Sequence, residues 1–406
     1  MEAALENGAV VCIIDEMPSK DVIEKYSDRG IILVKNSIKA MQDIATYKRS
    51  LYNIPVVAVT GSVGKTSTKD IIASVLSEKY KVLKTEGNFN NHIGLPLTLL
   101  KLKDHTAVVV EMGMNHFGEI RTLTNIAKPT VAVITNIGTS HIGNLGSREN
   151  ILKAKLEILE GLTDDGRIII NNDNDLLHSW AQAVDNYNPK TFGIVNKSDF
   201  NATGICENEN NTNYNLEVNG KTYNVNVPVM GKHFVYNSLC AIAVGNVLGM
   251  KMEEIIRGIS DFKLTAKRMD FKKIKNNITV LADYYNASYD SVKSALEVVK
   301  DYKANRKIAV LGDMLELGDF SKDLHEKVGA EVVKNNIDIL ITVGNLSKNI
   351  ASEAQKLGLE NIYICDNNQD AIKILNKIVK ENDLILLKAS NGMKFGEILD
   401  ALESTF

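Results

Sequence analysis

The sequence predicts an α/β protein built on two doubly wound, largely parallel sheets, and three observations carry that prediction. From residue 56 to about 195, short apolar runs alternate with helix-patterned stretches: "VVAVT", "KVLKT", "TAVVVEMG", "TVAVITNI" and "RIIINND". Strands become apolar throughout when helices cover both faces of a sheet. The same alternation restarts near residue 266 with "ITVLAD", "KIAVLGD", "IDILITVG", "NIYICD" and "DLILLKAS". Between the blocks, "NYNLEVNGKTYNVNV" switches to period two around Asn219-Gly220, a hairpin signal that predicts an antiparallel appendage.

Each element follows in order. "MEAALENG" reads as the end of a helix, with Gly8 as the stop, and "AVVCII" (9–14) as the strand after it. On composition alone this is a short N-terminal helix. Residues 9–50 alternate apolar runs (9–14, 31–34) with helical stretches, which predicts a small α/β unit. "LYNIPVVAVTG" starts something new, with Pro55 where a strand begins. After the hairpin, "HFVYNSLCAIAVGNVLG" predicts a long helix ending at Gly249. In the second block helices are expected over 290–302, 321–336, 346–357 and 367–381.

Composition excludes several classes. The 406 residues are 44% apolar and 24% charged, with 6 prolines, which suits two or three domains with proper cores. A net charge of −3 gives no reason to expect a nucleic-acid partner. Cys12, Cys206, Cys240 and Cys365 form no CxxC pair, which argues against a zinc site or disulfide framework. The longest apolar runs are too short to span a bilayer. The first residues carry Glu2 and Glu6 and no early Lys or Arg, unlike a secretory signal. The expectation is a cytoplasmic protein with no membrane insertion, and a monomer.

The chemistry begins at "VVAVTGSVGKTSTKDII" (56–72). A strand, a Gly-containing turn, Lys65-Thr66 and a helix make a phosphate cradle. The strict P-loop wants glycine where Val59 stands, so Gly61 and Gly64 give the shorter form G-x-x-G-K-T. Backbone N–H groups of Gly61, Ser62, Val63, Gly64, Lys65 and Thr66, at a helix N-terminus, can face phosphate oxygens. Lys65 would reach the outer phosphates and the Thr66 hydroxyl a Mg²⁺ ion, with Ser67 beside them. The bland alternative is a helix-capping glycine turn with a chance Lys-Thr.

Three later segments place polar groups where a ligand should sit in such a sheet. Glu111 follows an apolar strand. His141 lies in the Gly-rich "TNIGTSHIGNLGS". Lys153 and Lys155 lie on the helical "ENILKAKLEILEGL". A carboxylate and an imidazole near a P-loop suggest Mg²⁺, with Glu111 the harder ligand. Read singly, Glu111 is equally an ion-paired strand-end carboxylate, His141 a loop hydrogen-bonder and Lys155 a solvated helix lysine. Lys155 would serve a metal only as a carbamate, which needs a desolvated amine.

Together the motifs resemble the Mur ligases, ATP-dependent enzymes that extend the UDP-muramoyl peptide of the bacterial cell wall. The resemblance covers essentially the whole chain: "TGSVGKTS", "TEGNFNNHIGLP" (85–96), "EMGMNHFGEI" (111–120), "TNIGTSHIGNLGS" (135–147), "KAKLEIL" (153–159), "GKHFVYNSLCA" (231–241), "KRMDF" (267–271) and "DYYNASYDS" (283–291). "YNAS" and "LGDMLELG" (311–318) resemble the branch that adds D-alanyl-D-alanine to UDP-N-acetylmuramoyl-tripeptide.

The resemblance implies three domains: a partial N-terminal α/β domain that binds the UDP substrate (1–50), a central P-loop ATPase-like domain (51–264) and a C-terminal Rossmann-like ligase domain (265–406). It implies ATP and two Mg²⁺ ions. Lys65 and Thr66 would hold phosphates and one Mg²⁺, with Glu111 as a ligand. His141 and carbamylated Lys155 would serve the second. Asn237 would contact adenine, Arg268 phosphate, and Asp283 ribose with Asn286 close by. The family's N-terminal domain is longer, so the chain is expected to start partway through it. In "LKASNGMKF" (387–395), Ala389 and Asn391 stand where the family has Gly and Arg. The alternatives are a related ligase, diamino-acid-adding or folylpolyglutamate-type, and a nucleotide-binding relative without ligase activity.

Overall fold

The computed structural model describes residues 1–208, 210–264 and 268–406. The boundary expected at 264/265 adjoins residues outside the described ones. Three sheets organise the chain. The first pairs β1 (Val11–Ile14) with β2 (Gly30–Leu33) in parallel.

The central sheet holds β3 (Val56–Thr60), β4 (Val82–Lys84), β5 (Ala107–Glu111), β6 (Val131–Ile134), β7 (Arg167–Asn171), β8 (Lys190–Gly193), β9 (Phe200–Glu207), β10 (Thr212–Val218) and β11 (Lys221–Val227). Their order is β4-β5-β3-β6-β7-β8-β9-β10-β11. β3, β5 and β6 are buried along their whole length, as their unbroken apolar runs predict. Asn219 and Gly220 take the left-handed φ of 52° and 73° that a two-residue hairpin loop needs. The expected antiparallel appendage is continuous with the main sheet, because β9 pairs in parallel with β8. Its polar/apolar alternation marks one covered face, not a separate unit.

The third sheet holds β12 (Asp270–Lys273), β13 (Thr279–Ala282), β14 (Arg306–Gly312), β15 (Ile339–Val343), β16 (Ile362–Cys365) and β17 (Asp383–Lys388), in the order β12-β13-β17-β14-β15-β16. All pairs are parallel except the edge strand β12.

Six helices position the site: α1 (Ser37–Ser50), α2 (Lys65–Ser77), α3 (Glu119–Ala127), α4 (Arg148–Leu156), α5 (Lys232–Val247) and α6 (Tyr289–Asp301). α5 is apolar on nearly every side because it is packed on every side, against α2 and the central sheet. α1 ties residues 1–50 to the central sheet. Its Arg49, 7% exposed, donates to the carbonyls of Ala127 (2.9 Å), Lys128 (3.2 Å) and Tyr52 (2.6 Å). At the other end of α3, the buried Glu157 carboxylate accepts from the N–H groups of Gly118 (2.8 Å) and Arg121 (3.1 Å). Among the described residues no helix is long and apolar enough to cross a membrane.

Candidate active site

β3 lies between β5 and β6, and the chain runs first to one side of β3 and then to the other. Open α/β sheets bind ligands at such a switch point, beyond the carboxyl ends of the strands. The P-loop follows β3, and the loop of residues 135–141 follows β6.

The P-loop turn requires its two glycines. Gly61 has φ 153°, and a Cβ there would run into Thr135 Oγ1. Gly64 has φ 80° and would place a Cβ 3.3 Å from Asn237 Oδ1. The turn is pinned to the neighbouring loop. Ser62 N–H donates to Asn136 O (3.0 Å), Val63 N–H to Asn136 Oδ1 (3.0 Å), Thr135 Oγ1 to Val63 O (2.7 Å) and Gly138 N–H to Ser62 Oγ (2.9 Å).

A cleft of about 830 Å³ opens over this turn. Of the expected site residues, Ser62–Ser67, Glu111, His141, Asn237, Arg268, Asp283 and Asn286 line it. Gly61 and Lys155 do not. Lys65 Nζ folds back onto Gly61 O at 2.9 Å. Burial pushes its pKa down, opposed by Glu111 and assisted by Arg268. The Thr66 hydroxyl donates to Glu111 Oε2 (2.7 Å), and Asn90 Nδ2 to Glu111 Oε1 (2.8 Å). Glu111 is thus no lone ion-paired carboxylate; it is bonded to the P-loop itself.

The Thr66–Glu111 pair offers two hard oxygens at the wall of the cleft. No group of three or more His, Cys, Asp or Glu that could hold a metal occurs among the described residues. That donor set fits Mg²⁺, which takes one or two protein carboxylates and completes its shell with water and phosphate oxygens. It does not fit a closed transition-metal cage.

Lys155 corrects the reading of a solvated helix lysine: it is 2% exposed, while Lys153 on the same helix is exposed. Its ammonium has no hydrogen bond or ion pair among the described residues. Burial, and secondarily the Lys65 charge, hold its pKa well below the ordinary value, which favours the neutral amine. His141 lies in the same electrostatic neighbourhood. Burial, and secondarily the Lys65 charge, lower its pKa against the opposing Glu316, whose Oε2 lies 2.7 Å from Nδ1.

The third sheet supplies the far wall. The Arg268 guanidinium stacks 4.1 Å from the Tyr285 ring centroid. Asp283, after β13, accepts from Lys388 Nζ at 2.6 Å and from Met269 N–H at 3.3 Å. Lys388, 2% exposed at the end of β17, also donates to the carbonyls of Asp283 (3.2 Å) and Asn286 (3.1 Å). The Asn286 side chain turns to its neighbour Ala287 N–H (2.9 Å). Asn237 Oδ1 accepts from Thr68 Oγ1 (3.0 Å) at the edge of the P-loop.

Sequence reasoning missed four residues. Lys388 was legible as a lysine closing an apolar strand, a sign of a buried counter-charge. Glu316 and Asp290 act across the domain boundary and gave no local signal. Asp173, which accepts from the N–H groups of residues 194–196 and from Tyr236 Oη (2.9 Å), looked like an ordinary turn.

A P-loop sheet facing a second doubly wound sheet across a polar cleft is the layout of a nucleotide-dependent ligase, and the comparisons agree. Residues 59–245 match the Mur ligase middle domain and residues 267–391 the Mur ligase glutamate ligase domain. The chain belongs to the Mur ligase family. It is 38% identical over its full length, and over 87% of the relative, to the UDP-N-acetylmuramoyl-tripeptide--D-alanyl-D-alanine ligase of Bacillus subtilis. The crystal structure of MurF from Acinetobacter baumannii superimposes with a TM-score of 0.90 at 28% identity, covering 99% of this chain and 87% of that one. MurF from Thermotoga maritima in complex with ADP gives 0.87 at 28% identity, covering 100% and 90%.

Proposed function

We propose that this chain is the amide ligase that joins D-alanyl-D-alanine to UDP-N-acetylmuramoyl-tripeptide, driven by ATP, in peptidoglycan synthesis. A carboxylate of the peptide takes the γ-phosphoryl group, the dipeptide amine attacks the acyl phosphate, and phosphate leaves. The observation that carries the reading is full-length likeness to such ligases in a chain that gathers Thr66, Glu111, Arg268 and Asp283 around one cleft.

The division of labour follows from charge. The transferring phosphoryl group spreads negative charge over its oxygens, so cations and N–H groups do most of the work. Lys65 would leave Gly61 O for the outer phosphates. Arg268, held over the Tyr285 ring, would present its donors from the opposite wall. Asp283, fixed by Lys388, would accept from the ribose hydroxyls, and Asn237 would contact the base. Mg²⁺, held by Thr66 and Glu111 and at a second site by His141 and carbamylated Lys155, would supply further positive charge to the phosphates. The neutral Lys155 amine can add to CO₂, forming an N–C bond and releasing one proton. Residues 1–50, 51–264 and 265–406 would act as three units, the first toward the UDP substrate. The reaction would run in the cytoplasm.

The test is phosphate release with purified UDP-N-acetylmuramoyl-tripeptide, ATP and each candidate amine. Turnover with D-alanyl-D-alanine is expected. Turnover with glutamate or a diamino acid, and none with the dipeptide, would overturn the assignment.

A further inference from the structure

The two walls of the cleft meet at a contact that none of the roles above uses. Asp290, in the first turn of α6, reaches out of the third domain. Its Oδ2 accepts from both the N–H (2.8 Å) and the hydroxyl (2.9 Å) of Thr139. Thr139 belongs to the loop that pins the P-loop, with Gly138 N–H on Ser62 Oγ (2.9 Å) and Ser140 Oγ on Ser62 O (3.2 Å). Two residues further on is His141.

The fit leaves no slack. A Cβ on Gly138 would collide with Asp290 Oδ2. Nor is the carboxylate needed to cap its own helix, because Ser288 and Ser291 already form the capping box there. Arg148, whose charge faces Asp290, braces the same loop by donating to Ile137 O (2.8 Å). A short second contact lies alongside, where Gly143 packs against Leu317 and Gly318.

We propose that Asp290 is a positioning residue, a clasp through which docking of the third domain sets the loop 138–141, and with it the P-loop and His141, for turnover. The inference rests on the ligase reading above. The chain of contacts is continuous: α6, Asp290, Thr139, Gly138, Ser62. When the clasp is made, the nucleotide-binding turn and the far wall hold one geometry. When it is broken, the two walls still touch at His141–Glu316 and at Gly143, but the loop 138–141 loses the contact that fixes it to α6. A misplacement of about 1 Å between reacting groups costs on the order of 100-fold in rate.

Three variants test this. Asp290→Ala removes the acceptor. Gly138→Ala leaves Asp290 in place and fills its seat. Asp290→Asn keeps one oxygen able to accept both bonds. In Asp290→Ala and Gly138→Ala, kcat for phosphate release should fall about 10- to 100-fold, with KM for ATP within about threefold because the P-loop contacts remain. The double variant should be no worse than either single, since both break one contact. Asp290→Asn should recover most of the rate. Amide exchange at 138–146 and 313–318 reads the clasp without turnover and should accelerate in both impaired variants at an unchanged melting temperature. Wild-type kcat and exchange in Asp290→Ala would overturn the clasp, as would an Asp290→Asn variant no better than alanine. A wild-type protein that releases no phosphate overturns the ligase reading instead, and the exchange measurement still decides the clasp.

Discussion

Replacing Lys388 with methionine should unfold the third domain early while the central domain stands. Lys388 and Asp283 form an ion pair with side chains 2% and 13% exposed. The ammonium donates to three acceptors: Asp283 Oδ2, Asp283 O and Asn286 O. Charge-assisted hydrogen bonds contribute roughly 1.5–3 kcal/mol each, but three sharing one donor do not add. Removing one partner of a buried pair costs about 3–5 kcal/mol, mainly because the other charge is left uncompensated. Asp283 borders the cleft and can recruit water, which puts the expectation at the low end, about 3 kcal/mol. With a urea m-value of about 1.5–2 kcal/mol/M for a domain of this size, the midpoint should fall by roughly 1.5–2 M. The single tryptophan, Trp180, lies in the central domain, so its fluorescence should follow the wild-type transition. Far-UV circular dichroism should show an added early step. Lys388→Met/Asp283→Asn should regain most of the loss. Coincident wild-type transitions in Lys388→Met, or a double variant as weak as the sum of the singles, would refute the reasoning.

Three further outcomes are expected. Lys65→Ala should weaken ADP binding about 10- to 100-fold by calorimetry, the worth of one charge-assisted phosphate contact. Lys155→Ala should cut turnover by on the order of 10³, with partial rescue by short carboxylates or bicarbonate; wild-type activity would remove the carbamate role. His233, with its pKa lowered by burial to about 4, should make stability fall as pH drops from 6.5 to about 4. In that window the unfolded chain binds a proton that the folded chain refuses, so unfolding gains up to about 3 kcal/mol. His233→Gln should flatten that slope in urea titrations at several pH values.

How much of this was legible in the sequence differs by element. Most strands of the two parallel sheets were visible because burial on two faces leaves an unbroken apolar run; β8, "KTFG", was not, being four residues of which only the last two are buried. The turn at Asn219-Gly220 was visible because few residues accept its φ. β12, "DFKK", was not, since a short polar edge strand has neither period. Lys155 shows the limit most clearly. It shares a stripe with Ile151, Ala154 and Ile158, all fully buried. The spacing was there to be read, but a charged residue on an apolar stripe usually snorkels outward, and only the tertiary packing shows that this one does not. Asp290 and Glu316 depend on how two domains meet, which no local pattern encodes.

The two ends of α3 are gripped by opposite charges, Glu157 at the start and Arg49 at the finish. Each sign suits the helix dipole at its end. The nine residues between make a stiff rod of roughly 13 Å. One tip is bolted to the helix that carries the N-terminal unit, the other to the turn that continues from Lys155. A single rigid element therefore spans the distance from that unit to the loop that follows Glu111.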